Sequence, residues 1–216
     1  MQLIINAYLS NKKNNSFLLT LYLYCAFLLL CRAKLTQSVF YFFLIWNAFL
    51  ATIPYLILLL AKQKIILLEN SKIRILVFLL WLLFLPNSFY IVTDFVHLPK
   101  GNSNLFWFDL ILLFSFSFLG FLLGLLALQE FKNCFSLFIS TKILQYSIPA
   151  ICMLNGFGIY LGRFLRFNSW DILTNPFPLF IDSFKCLLST EALLFSMLYG
   201  SFIYLIYLFK NIFYGN

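Results

Sequence analysis

Long apolar runs separated by short polar connections dominate the chain. They extend from about Ser16 to Cys31, Val39 to Ala61, Ile73 to Val92, Leu105 to Leu128, Ile143 to Leu165 and Leu187 to Phe209. A helix needs about 20 mostly apolar residues to cross a bilayer. The first run falls short of that, and Pro86 interrupts the third. Strands do not fit, because barrel segments are short and alternate between apolar and polar, and these runs do not alternate. The pattern predicts an all-α, polytopic membrane bundle with about six spanning helices, forming one domain over residues 1–216.

Composition agrees. Hydrophobic residues make up 63% of the chain and charged ones 10%. A soluble domain carries about 25% charged residues, so this chain could not cover a water-facing surface. The 29 Phe residues read first as lipid-facing bulk. Cysteines stand at 25, 31, 134, 152 and 186, with no Cys-x-x-Cys pair. They read as small buried hydrophobes, not as a disulfide framework or a zinc site. Lys12 and Lys13 precede the first run, as in a signal peptide, but no small-x-small cleavage site follows, so a retained helix is expected.

The net charge is +8. Its cations flank the apolar runs and form no basic stripe, which makes nucleic acid a poor partner and the bilayer a good one. Six spans put nine Lys and Arg residues on the side of the termini and six on the other side. The positive-inside rule then predicts that both termini are cytoplasmic. The connections after the third and fifth spans face outward, and they carry most of the unusual polar residues.

The first polar constellation is Leu85-Pro86-Asn87-Ser88-Phe89-Tyr90-Ile91-Val92-Thr93-Asp94-Phe95-Val96-His97-Leu98. Pro86 frees a backbone carbonyl, which must find a partner in lipid, and Asn87 and Ser88 stand beside it. Asp94 and His97, the only His, are three residues apart and share a helix face. They read as an acid–base or metal-binding pair, or as an N-cap and an interfacial side chain. Asp109 follows the aromatics Phe106, Trp107 and Phe108, where the helix dipole favours an acid. Gly120 with Gly124, and Gly158 with Gly162, are spaced for close helix packing.

The second constellation runs from Gly156 to Asp171. Arg163 and Arg166 are three apart near the outer end of the fifth helix. Arginine suits bidentate capture of phosphate or carboxylate. The bland alternative is snorkelling over headgroups. Asn168 and Asp171 read as the N-cap and N3 residues of a short helix that Pro176 and Pro178 end, with Trp170 as an interface anchor. Pairing Asp94 or Asp109 with an arginine would make its burial tolerable and leave a polar pocket open to headgroups.

Two of these motifs carry a resemblance. Leu85-Pro86-Asn87-x-x-Tyr90-x-x-Thr93-Asp94-x-x-His97-Leu98 and Gly158-Ile159-Tyr160-x-Gly162-Arg163-x-x-Arg166-x-Asn168-Ser169-Trp170-Asp171 resemble those of a family of bacterial multi-pass membrane proteins catalogued as domain of unknown function 1361. The aromatic-Asp start of the fourth helix looks similar too. The resemblance spans about residues 70 to 210 and leaves the helix at about 16–31 outside it. It implies a shared polytopic fold and supplies no activity and no cofactor.

Three functional readings remain open. Arg163 and Arg166, with Asn87, Tyr90, Asn168, Trp170 and Asp171, would bind an anionic lipid or envelope precursor. Asp94, His97 and Asp109 would instead serve a membrane-embedded enzyme as acid and base or as metal ligands. Or the polar groups lock helices together. A transporter would show polar residues at mid-membrane or repeated halves, and neither is visible.

Overall fold

A computed structural model describes residues 11–100 and 103–214. Six of its helices are long and apolar enough to span a membrane: Lys12–Thr36, Phe40–Gln63, Ser71–Pro99, Phe106–Phe135, Thr141–Phe164 and Thr190–Lys210. Among the described residues there is no strand. The chain is thus a multi-pass, all-α membrane protein, and it divides into two compact units, Met1–Cys134 and Phe135–Asn216.

The first unit contains α1 (Lys12–Thr36), α2 (Phe43–Gln63), α3 (Ser71–Tyr90) and α4 (Phe106–Phe135), with a 3-10 turn at Phe40–Phe42 and a 3-10 stretch at Ile91–Lys100. The first span is longer than its apolar run because Arg32 and Thr36 belong to the helix. Leu23, Phe27 and Leu30 point outward from it, as lipid-facing residues do. Helix α4 is the most enclosed span. Trp81 of α3 stacks on its Phe131 at 4.4 Å. Gly120 and Gly124 clear space for the end of α3. A Cβ on Gly120 would lie 2.5 Å from the Ser88 carbonyl oxygen, and one on Gly124 would strike the Phe89 ring. The Gly-x-x-x-Gly here is therefore an internal packing seam.

Pro86 lies inside α3 without ending it. The expected local patch at Asn87 and Ser88 takes a different form. Asn87 donates to the Phe84 carbonyl at 3.0 Å. Ser88 instead reaches across to the Ala51 carbonyl of α2, at 2.8 Å. The Pro86 segment thus ties α3 to α2 as well as to α4.

The second unit contains α5 (Thr141–Phe164), the single turn α6 (Asp171–Thr174), α7 (Pro176–Leu187) and α8 (Thr190–Tyr214). Helices α5 and α8 meet where both lack side chains. A Cβ on Gly156 would lie 2.5 Å from the Ser196 carbonyl, and one on Gly200 would lie 2.7 Å from Met153 Cα. The seam uses Gly156 and Gly200, not the Gly158–Gly162 pair that spacing singled out. The short helix α6 ends at Thr174, ahead of Pro176, as the sequence predicts. Pro176 also occupies the first turn of α7, where a missing N–H costs nothing.

Candidate functional site

In the first unit, the turn between α1 and α2 gathers the predicted residues at one end of the bundle. Tyr41 donates to Asp109 Oδ2 at 3.2 Å. The rings of Phe40 and Phe43 lie 6.3 and 5.1 Å from that of His97. Asn47 donates to Asp94 Oδ2 at 2.7 Å. Asp94 and Asp109 are both 1% exposed. Asp94 and His97 sit on the 3-10 stretch, where residues three apart eclipse one another. Neither Thr93 nor Asp94 is an N-cap, because that stretch continues directly from α3. Thr93 bonds back to the Tyr90 carbonyl at 2.7 Å.

The partner of Asp109 is a residue that sequence reasoning assigned to the membrane edge. Arg32 of α1 grips the carboxylate with two donors, its Nε on Oδ1 and its Nη2 on Oδ2, the latter at 3.1 Å. Thr36 accepts from Nη1, and the guanidinium carbon lies 5.4 Å from the Tyr41 ring centroid. Ending the first run at Cys31 hid Arg32. Its signal was that a cation directly after an apolar run can belong to the helix and then needs a counter-charge. Asn47 carried a similar signal, as an amide inside an apolar run. Among the described residues, no three of His, Cys, Asp and Glu gather closely enough to hold a metal ion. Asp94, His97 and Asp109 share a neighbourhood, not a ligand point.

The other end of this unit holds a second buried carboxylate, also missed. Glu130 of α4 is 4% exposed. It accepts from Asn11 at 2.7 Å and pairs with Lys62 at 3.0 Å. Tyr55 donates to Asn15 at 3.0 Å beside them. Asp109 and Glu130 are 21 positions apart on α4, about 31 Å of helical rise. That separation equals the roughly 30 Å thickness of a bilayer's apolar layer.

The second unit carries the arginines, and the expectation that both lie on one helix face is corrected here. Helix α5 ends at Phe164, so Arg163 is in its last turn and Arg166 is in the loop. Arg166 adopts φ 62°, a left-handed conformation that is uncommon outside Gly, Asn and Asp. The Phe167 amide reaches back to the Leu161 carbonyl at 3.2 Å and closes the helix end around it. Beyond the loop, Asp171 accepts from the Asn168 amide at 2.7 Å and from Thr174 at 3.0 Å. This bond has the reach-back form of a capping box, but Trp170 is the N-cap of α6 and Asp171 its first residue, so the expected N-cap at Asn168 and N3 position at Asp171 are corrected. Trp170 precedes α6, and its carbonyl accepts from the Leu173 amide at 2.9 Å.

Asn87 and Tyr90 belong to α3 of the first unit, whereas Asn168, Trp170 and Asp171 belong to the second. Neither a curated protein nor a solved structure matches the chain. Residues 46–206 match the model of a family described as a protein of unknown function, DUF1361. The match reaches further toward the N-terminus than the motifs implied and takes in α2. Helix α1, with Arg32 and Asn11, stays outside it. Both polar motifs and most of the chain lie within the match, and the protein belongs to the DUF1361 family.

Proposed function

We propose that the protein binds the phosphate or carboxylate of an anionic lipid or envelope precursor at the Arg163–Asp171 loop, on the outer membrane face. The observation that carries this reading is Arg166. It is exposed, it holds a left-handed backbone, and it makes no ion pair among the described residues. Arg32, Lys62 and Lys185 are in contrast each matched to a carboxylate. An exposed guanidinium in a closed helix-end loop, one turn from Arg163, offers a fork for an anionic group at headgroup depth. Asn168 and Trp170 flank that loop.

The enzyme reading is weaker on geometry. Both oxygens of Asp109 already accept hydrogen bonds, and Asp94 accepts from Asn47. These contacts support a positioning role for the carboxylates.

The test titrates detergent-purified protein with phosphatidic acid or phosphatidylglycerol, against phosphatidylcholine, by native mass spectrometry. Charge-assisted hydrogen bonds contribute about 1.5–3 kcal/mol each, so Arg163→Ala with Arg166→Ala is expected to weaken anionic-lipid binding at least about tenfold. Thermal stability is expected to stay near that of the parent. A double variant that binds both anionic lipids as tightly as the parent sinks the reading.

A further inference from the structure

Helix α7 is too short to form a long apolar run, and none of its residues is buried. Phe177 is 80% exposed, Phe180 64%, Ile181 56% and Phe184 66%. At 100° per residue these four fall on one stripe, and Leu188, 76% exposed, continues it. Asp182 lies on the opposite side and Lys185 at the flank, the two joined at 3.1 Å. So much contiguous exposed apolar surface marks a partner.

The topology identifies that partner. Helix α7 has 12 residues, about 18 Å of rise, too short for a 30 Å apolar layer. Two residues, Leu188 and Ser189, join it to spanning helix α8, and it follows the end of spanning helix α5 across a short loop and the turn α6. A segment held between two spans at one membrane face, with aromatics on one side and a salt bridge on the other, matches the design of helices that lie in the interface. We infer that α7 lies parallel to the membrane plane, its Phe177–Phe180–Ile181–Phe184 face sunk into the boundary between headgroups and acyl chains. Its occupant is the lipid leaflet, not a second protein. The inference does not depend on the anion site.

Benzoylphenylalanine placed at position 180, 184 or 182 of the full chain, in nanodiscs of phosphatidylcholine and phosphatidylglycerol, tests this. On illumination, the probes at 180 and 184 are expected to give phospholipid adducts by mass spectrometry, and the probe at 182 at least fivefold fewer. Adducts at 180 and 184 to this chain or to a second copy would overturn the inference, as would equal lipid labelling at all three positions. Hydroxyl-radical footprinting of the unaltered protein in the same nanodiscs needs no substitution. Phe177, Phe180 and Phe184 are expected to resist oxidation, and strong oxidation of all three again overturns it.

Discussion

Asp109→Ala is expected to destabilise the protein by about 3–5 kcal/mol, the usual cost of stranding one member of a buried ion pair. The side chains of Arg32 and Asp109 are only 5% and 1% exposed. Without Asp109 the guanidinium keeps Thr36 and the face of Tyr41 but no counter-charge. Arg32→Met alone strands the carboxylate and is expected to be of similar severity. The paired variant Arg32→Met with Asp109→Leu removes both charges and is expected to recover most of the loss, because a well-packed apolar pair often matches a buried ionic one. Reversible unfolding in mixed micelles reads all four proteins. The two single variants unfolding within about 0.5 kcal/mol of the parent, the scatter expected of an unimportant surface site, would show that the pair is not buried in the membrane-embedded protein.

The second large effect is expected at the α5–α8 seam. Gly156→Ala sets a methyl group against the Ser196 carbonyl, and Gly200→Ala sets one against Met153 Cα and the Cys152 carbonyl at 2.8 Å. Both obstacles are backbone, so no rotamer change relieves them and the helices must part. Overpacking of this kind costs about 1–3 kcal/mol for each site. The two sites face each other, so the pair of substitutions is expected to cost less than the sum of the singles. Leu198→Ala, at a mostly exposed position, serves as the control. Equal unfolding midpoints for Gly156→Ala and Leu198→Ala would refute the close approach.

The spans were legible because membrane crossing imposes a length and a polarity that any window along the chain reveals. Their polar contacts were less legible, since these join residues far apart in sequence. Arg32 and Asp109 are 77 positions apart, and Asn11 and Glu130 are 119 apart. No periodicity reports such pairs. Their only trace is a charge at the rim of an apolar run, where headgroups explain it equally well. Thus Asp94, His97 and Asp109 were recognised as unusual, while Arg32, Tyr41 and Asn47, the groups that touch two of them, were not. Arg163 and Arg166 were recognised by residue type, but their geometry depended on whether α5 ended at Phe164 or ran further. Pro176 was read only as a helix end, because proline ends one helix and begins another with the same ring. Helix α7 was missed because interfacial helices are short and mix apolar with charged residues.

Helices α1 and α4 run past each other joined at two rungs, Arg32 to Asp109 and Asn11 to Glu130. The rungs are 21 positions apart from the N-cap Asn11 to Arg32 of α1, and 21 apart on α4. Neither helix can piston by a turn or spin about its axis without breaking both contacts, so the two move as one rod. The rungs lie about 31 Å of helical rise apart along that rod. In a thicker membrane one rung would sink under the acyl chains, and in a thinner one the pair would relieve the mismatch by tilting together.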